Sequence, residues 1–418
     1  MSQTLLSPTA VTKEFLRILH NNISFTKGVN RQYNSDFANS GATMSGKIGP
    51  SLRIRKPNRY TVRTGAAISV QDSSEDYVTL TCSTQKGVDM RFSSADLTLT
   101  IDEFSDRYIK PAALLLASTI DYDGLTLAQD IYNNYGVPGT APGAGASTTN
   151  AHSPEVFLQA AAILNDYACP TEDRTCILSP AGQAAAVAGL SGLFNPQSTI
   201  GEQYTRGEMG YALGMDFKMS QNVNRLTCGS RWPTASTYVV DTGTQTNGAT
   251  TLVISTATAG ACTTGTFKVG DVFTIAGVYQ SNPETKATTA NLQSFVVTVA
   301  TTAAASSVTL TIDPPLTTTG ATQTINASPA DAASITWTGT SSTAFAANML
   351  YHRDAFTLVT ADLVMPKGVD FAAREVYDGI SARIVRAYDI NNDNFVCRLD
   401  VLYGWKTIYP QLACRIWG

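Results

Sequence analysis

The chain has 418 residues and a mass of 44.4 kDa, enough for two or three domains with a sizeable core. Apolar residues make up 43% and charged residues only 15%, with a formal net charge of −4, a balance that excludes a dedicated nucleic-acid binder, whose domain would be basic. No stretch approaches the length of apolar sequence that a membrane-spanning helix needs, and the N-terminus lacks the basic-then-apolar pattern of a secretory signal.

Residues 9–20 carry Val11, Phe15, Ile18 and Leu19 at helical spacing, with Lys13, Glu14 and Arg17 elsewhere, so a short amphipathic helix is expected. A polar, glycine-bearing tether follows. The pair reads as an arm seeking a partner or as a helix docked on its own core. Residues 47–63, KIGPSLRIRKPNRYTVR, then hold Lys47, Arg53, Arg55, Lys56, Arg59 and Arg63 and no acidic side chain. The alternation Leu52-Arg53-Ile54-Arg55 predicts a strand, Lys56-Pro57-Asn58 a turn, and Arg59–Arg63 the returning strand. A second alternating region, DYVTLTCSTQKGVDMRFSSADLTLT, extends this to an extended β-hairpin over 47–100, basic near its first tip. A hairpin with so little apolar surface forms no core of its own and needs something to lie on. A neighbouring subunit's acidic surface and nucleic acid both fit, and a solvated face is the plainer alternative.

Residues 102–135 switch to helical period and predict one long, interrupted helix. Phe104, Tyr108, Leu115, Thr119 and Tyr122 mark one face, continued by Leu125, Ala128, Ile131 and Tyr132. Pro111 either kinks it or sits in its first turn, and Asp121–Gly124 is a second weak point. After a Gly/Pro/Ala loop, Ser153 is the expected N-cap of a helix with Pro154 first and Glu155 at its positive end. Val156, Phe157, Ala160, Ile163, Leu164 and Tyr167 are its apolar positions. RTCIL at 174–178 reads as a buried strand, and residues 179–194 repeat the Ser-Pro helix start. Together these form a compact α/β unit.

No arginine occurs between Arg231 and Arg353, and roughly a quarter of residues 234–345 are threonine. Short β-runs recur there, TYVV, TLVIST, DVFTIA, FVVTVA, SVTLTI, TQTIN and SITWT, separated by turn signals as in an all-β barrel or sandwich. FKVGDVFTIAGV at 267–278 reads as a buried strand pair around a Gly-Asp turn. Val272, Phe273, Ile275, Phe295, Val297, Leu310, Ile312 and Trp337 are the expected core of this module. The composition changes on both sides, so the module is inserted into a host rather than appended to it. The chain then closes with a hairpin of two long strands and a third strand.

Nothing in the sequence forms a catalytic constellation. His352-Arg353-Asp354 has the letters of a kinase catalytic loop, but the following Asn, the glycine-rich loop and the strand lysine are missing, so His352 reads as a hydrogen-bonded residue entering a strand. Asp389, Asn391, Asp393 and Asp400 approximate a calcium loop. Asn394 stands at the obligatory glycine, the last position is Asp, and the flanks are strands, so a hairpin turn is expected instead. Residues 143–147 form a glycine-rich loop without the Lys-Ser/Thr of a phosphate cradle. Cysteines 82, 169, 176, 228, 262, 397 and 414 are odd in number and widely spaced with no CxxC pair, which predicts reduced thiols in a cytosolic protein and no metal site. No enzyme activity, metal or cofactor is expected.

Several stretches, taken in order, resemble the major capsid proteins of tailed phages. They are DEFSDRYIKPAALLLASTID, RTCILSPAGQAAAVAGL, GEMGYALGMDFKMSQNV, FKVGDVFTIAGVYQSNPETK, YHRDAFTLV and RLDVLYGW. The resemblance is to the α+β Hong-Kong-97 fold, and within it to podovirus coat proteins of the P-twenty-two type, which carry an inserted β-barrel. It implies an N-terminal arm at 1–35, an E-loop hairpin with peripheral-domain strands at 36–100, and a spine helix with its connection at 101–150. It further implies a first part of an axial domain at 151–229, the inserted barrel at 230–346 and the remaining axial and peripheral strands at 347–418. The function implied is a non-enzymatic subunit that self-assembles as hexamers and pentamers into an icosahedral head. Scaffolding protein, portal protein and non-specifically packaged double-stranded DNA are the implied partners, and assembly in the host cytoplasm precedes residence in the virion. Lys47, Arg53, Arg55, Lys56, Arg59 and Arg63 would then be inter-subunit contacts of the E-loop. An encapsulin-like cargo shell and a β-rich phage tail or adhesin protein are the alternatives.

Overall fold

The computed structural model describes residues 8–34, 51–68, 70–71, 75–93, 110–136, 138, 154–190, 210–231, 238–241, 245–256, 265–303, 307–369, 371–390 and 394–417. The chain divides into two units, one made of 1–56, 76–124 and 356–408, the other of 57–75, 125–355 and 409–418.

In the first unit the helix Pro8–Asn22 buries Phe15, Leu16, Ile18 and Leu19 against the strands Phe371–Tyr377 and Ile380–Asp389. Of the two readings open for this segment, the helix docked on its own core is the one observed. The chain then turns over Ser24–Gly28 and Asn30 makes a parallel bridge to Thr357. The unit's sheet is antiparallel, in the order Phe356–Ala361, Asn394–Thr407, Ile380–Asp389, Phe371–Tyr377, with Thr84–Ser93 also paired to Asn394–Thr407. Strand alternation buries Cys397, Leu399, Val401 and Tyr403 on one face. The turn of the long hairpin places Asp389 opposite Asn394, and Asp400 lies up the strand, buried between Arg383 and Arg398 at 2.7 Å each. That is a hairpin with an ion-paired strand residue, not a calcium loop; Asn391 and Asp393 lie outside the described residues.

Two expectations are corrected in this unit. The helix spans Lys110–Leu125 and passes into a 3-10 turn at Thr126–Asp130, with Ile131 extended, so no single helix runs to 135. Its buried stripe is Ala113, Leu116, Ala117 and Ile120, whereas Leu115 and Tyr122 of the expected face are exposed. These four stand three or four positions apart on one helix face, and two of them are alanines that an apolar periodicity count weighs lightly. Phe104 and Tyr108 lie outside the described residues. The second correction concerns the ribbon. Ser51–Arg55 pairs antiparallel with Tyr77–Thr81, not with Arg59–Arg63. A turn at Lys56-Pro57-Asn58 would set Arg55 directly opposite Arg59, a repulsive cross-strand pair. The observed register instead sets Leu52 opposite Leu80 and Ile54 opposite Val78.

The second unit holds a seven-stranded sheet. Its main path runs Asn134–Tyr135, Ala413–Trp417, Ala344–His352, Arg174–Leu178, Met215–Met219, Tyr211–Ala212, and Arg225–Thr227 pairs with Ala344–His352. The strand Arg174–Leu178 is buried throughout, as an apolar strand covered on both faces must be. Helices Pro154–Asp166 and Pro180–Leu190 pack on this sheet around Phe157, Leu164, Cys176, Leu178, Met215, Leu350 and Cys414. Ser179 caps the second of them, its Oγ accepting from the Gly182 N–H at 3.1 Å. Ser153 lies outside the described residues. His352 ends a strand instead of entering one, and its Nδ1 accepts from the Asp354 N–H at 3.2 Å.

The threonine-rich tract folds as a closed barrel in the order Ala249–Thr256, Ser307–Leu316, Thr288–Val297, Val272–Ser281, Ser334–Trp337, Tyr238–Val240. Period-two alternation sends Leu252, Ile254, Phe273, Ile275, Phe295, Val297, Leu310 and Ile312 inward, with the Phe273 and Phe295 rings stacked at 5.7 Å. Three details differ from expectation. Thr266–Phe267 pairs with Thr301–Thr302, so the Gly-Asp turn does not join a strand pair. Val272 lies opposite Val296 on the barrel's outer face rather than in its core. The TQTIN run forms no strand, only a bridge from Ile325 to Gln280, with Ile325 buried in the barrel core.

Candidate assembly interface

The ribbon's pleat sorts its side chains. Ile54 and Leu80 are buried, whereas Arg53 and Arg55 stand exposed with Thr79 and Tyr77. The Arg53 guanidinium lies 5.0 Å from the centre of the Tyr77 ring, which fixes its direction without consuming its charge. Lys56 is half-buried and its N–H donates to the Asp76 carbonyl at 2.8 Å, closing the ribbon. The structure therefore brings Arg53 and Arg55 to one exposed face.

Arg59 and Arg63 belong to the loop 57–75 and are exposed. Arg63 also braces its own loop, donating to the carbonyls of Gly65 and of Ala67. Gln71 clamps the same loop by a reciprocal pair with the Thr61 backbone, accepting the N–H at 2.8 Å and donating to the carbonyl at 2.6 Å. Several exposed side chains of this loop are apolar: Tyr60 is 62% exposed, Val62 97%, Ile68 84% and Val70 86%. Burial, helped by the charge of Arg59, pushes the Lys286 amine below its usual value. Lys47 lies outside the described residues.

A second arrangement ties the barrel into its unit. The Gly-Asp turn is held by Asp271, which accepts from the Lys268 N–H at 2.9 Å, the Gly229 N–H at 3.1 Å and the Arg231 guanidinium at 3.1 Å. Arg231 also donates to the carbonyls of Thr338 and Gly339 at 3.0 and 3.1 Å. Arg231, just before the barrel, is thus tied both to the Gly-Asp turn within it and to the residues that follow its last strand. Arg415 is wholly buried and donates to Gly270 O at 2.7 Å, to Gln129 O at 3.3 Å and to Ile131 O. Burial lowers its pKa to about 10, against the opposing pull of Asp130 and Asp271. On the barrel's outer face Val272 and Val296 pack on Tyr132 and Tyr167, and the Tyr167 hydroxyl donates to Gln293 at 3.0 Å. Burial raises both phenols well above their ordinary value.

Sequence reasoning passed over Arg231, Asp271 and Arg415. The signals available were the Gly-Asp pair of FKVGD and a lone arginine inside the apolar strand ACRIW. Among the described residues no group of His, Cys, Asp and Glu is placed to hold a metal. The six described cysteines are free and buried, and burial raises Cys82 and Cys397 to about 11 and Cys414 to about 12, so none is poised as a nucleophile. Cys262 lies outside the described residues. No described helix is long and apolar enough to cross a membrane.

A family model described as "P22 coat protein - gene protein 5" matches residues 3–416. No protein of curated function matches the sequence. Among solved structures, one of Mycobacterium phage Che8 is 13% identical, with 94% of this chain and 90% of that chain covered and a TM-score of 0.48. The capsid structure of the cyanophage P-SCSP1u is 11% identical, with 88% and 83% covered and a TM-score of 0.41. The CUS-3 coat protein I-domain is 27% identical over 25% of this chain and 96% of its own length, with a TM-score of 0.18.

Proposed function

The chain belongs to the P22 coat protein family and is a major capsid protein that forms a phage head shell, and from this premise we propose how its parts divide that work. The subunit is structural and non-enzymatic. It assembles with itself as hexamers and pentamers of an icosahedral head in the host cytoplasm, guided by a separate scaffolding protein. A portal protein and non-specifically packaged double-stranded DNA complete the particle. In this reading residues 1–35 are the arm, 36–100 the E-loop hairpin with peripheral strands, and 101–150 the spine helix with its connection. Residues 151–229 and 347–418 supply the axial and remaining peripheral strands, and 230–346 are the inserted barrel, which stabilises the subunit.

The observation that carries the contact reading is the ribbon. Two strands with one narrow apolar face hold little of a core, and their other face carries Arg53 and Arg55 into solvent. In a shell this face meets acidic groups of a neighbouring subunit, together with Lys47, Lys56, Arg59 and Arg63. An exposed ion pair is worth only about 0.2–1 kcal/mol, so a single substitution changes little. Reversing Arg53, Arg55, Lys56 and Arg59 to Glu replaces several attractions by repulsions in every subunit. The subunit is expected to melt as the parent does while particle formation, followed by sedimentation, fails. Normal particles that later fail only in DNA packaging would assign the cluster to nucleic acid instead.

A further inference from the structure

We infer that His352 is an acid-sensitive catch: its neutral imidazole holds the turn that leads toward the chain's last strand, and protonation of the ring releases that turn. His352 ends the strand Ala344–His352 and is 7% exposed. Its Nδ1 accepts from the Asp354 N–H at 3.2 Å, within the 3-10 turn Arg353–Ala355. A ring nitrogen that accepts carries no proton, so this bond selects the tautomer with its hydrogen on Nε2. An imidazolium has no acceptor left to offer the Asp354 N–H.

The turn holds more than itself. Its Arg353 N–H donates to the Asp173 carbonyl at 3.3 Å, and its Ala355 carbonyl accepts from the Tyr409 N–H at 3.2 Å. Tyr409 caps the 3-10 turn Pro410–Leu412, from which the strand Ala413–Trp417 runs back beside Ala344–His352. One ring nitrogen therefore bears on the approach to the strand that carries Arg415.

The charged groups around the ring oppose one another. Asp354 Oδ2 lies 3.8 Å from Nδ1, and Asp354 and Asp173 both favour a proton on the ring. Arg353 and Arg174 disfavour it, and Arg174 stands directly opposite His352 in the neighbouring strand. Arg174 is buried, and its guanidinium donates to Pro170 O at 2.7 Å, Cys169 O at 2.8 Å and Asn165 Oδ1 at 2.7 Å. The Asp354 side chain is half exposed, where its pull on a proton is weak. Burial, the largest influence, decides the balance and holds the imidazole below its ordinary value. As pH falls below about 6.5 the unfolded chain takes up a proton that the folded chain refuses, so stability drops from there downward.

The test compares the full chain with its His352→Asn variant. Asparagine keeps an acceptor for the N–H two residues on, as Asn30 does for the Gln32 N–H at 2.9 Å, and it does not titrate. His20, which faces Asp378, and every carboxylate are common to both proteins and cancel. Urea denaturation is run at pH 7 and at pH 5. Between them the folding equilibrium constant of the parent is expected to fall at least about fivefold further than that of the variant. Hydrogen exchange of peptides spanning Tyr409, corrected for the intrinsic rate, is expected to quicken in the parent alone. Equal losses in the two proteins overturn the inference. Should the variant unfold at pH 7, nitrogen resonance of the parent labelled at its three histidines decides. An Nδ1 of His352 that is bare at pH 7 and gains its proton only below about pH 6.5 upholds the catch; a proton on Nδ1 at pH 7 overturns it.

Discussion

Replacing Asp121 by Asn should unfasten the N-terminal segment from the first unit. Asp121 lies on the helix Lys110–Leu125 and is buried. Its Oδ2 accepts from the Ser24 N–H at 2.6 Å, the Ser24 hydroxyl at 3.2 Å and the Phe25 N–H at 3.2 Å. Its Oδ1 accepts from the Thr26 N–H at 3.1 Å and the Thr26 hydroxyl at 2.6 Å. One carboxylate thus gathers three consecutive backbone donors, and the Phe25 ring that follows packs on Phe356 and Trp405. An amide puts a donor where one oxygen was. The cheaper orientation turns its nitrogen toward Thr26, whose hydroxyl rotates to accept while the Thr26 N–H loses its partner. An orphaned buried N–H costs about 1–3 kcal/mol, and the bonds kept by the remaining oxygen lose their charge assistance, so the sum is about 3 kcal/mol. Asp121→Ala orphans all three N–H groups and should cost more, about 5 kcal/mol. Ser24→Ala removes only one long hydroxyl contact and should cost less than about 1 kcal/mol. Urea denaturation of the full chain measures the loss, and trypsin cleavage after Lys27 and Arg31 reports where it falls. A stability change under about 1 kcal/mol for Asp121→Asn, or unchanged cleavage, would refute the reasoning.

Two further outcomes follow from the second unit and from the thiols. Residues 230–346 expressed alone should melt cooperatively with dispersed amide resonances, because the barrel closes on its own apolar interior. They should melt below the barrel in the full chain, since excision removes the Arg415 donor from Gly270 and exposes Val272 and Val296; a disordered spectrum would count against an autonomous barrel. At pH 8 a thiol with a pKa near 11 is ionised to only about a thousandth, so Cys82 and Cys397 should resist alkylation in the native chain, and all seven thiols should react on denaturation. The same raised values make the folded state hold protons that the unfolded state has released, so stability should fall as pH rises above the ordinary thiol value of 9.0. Rapid native labelling of Cys82 or Cys397, or stability that rises over that range, would contradict the burial argument.

Local periodicity made the barrel legible, because strand alternation and turn residues are written within ten residues of one another. The same holds for Arg174–Leu178, a short run ending in Cys176, Ile177 and Leu178 and followed at once by a Ser-Pro helix start, and for the Ser179 cap. Pairing over distance was not legible. The partner of Ser51–Arg55 is twenty-odd residues further on, and only the match of Leu52 with Leu80 and of Ile54 with Val78 selects it over the nearer Arg59–Arg63. The face of Lys110–Leu125 was misread because large side chains dominate a periodicity count, while the buried face includes the small Ala113 and Ala117. In the candidate interface the charges were visible but their employment was not. Arg63 braces its own loop, and of the loop's exposed apolar side chains Tyr60 and Val62 lay inside a run that reads as a strand. Arg415 and Asp271 stand far apart in sequence and converge on the same Gly-Asp turn only through the fold.

Electron microscopy of the full chain, purified and incubated with the scaffolding protein proposed for it, tests the central claim most directly. The account predicts closed shells of uniform size whose walls consist of this chain, and their loss when the contact surfaces on the ribbon and loop are altered. Fibres, isolated trimers, or shells that form only around an enclosed enzyme would contradict it.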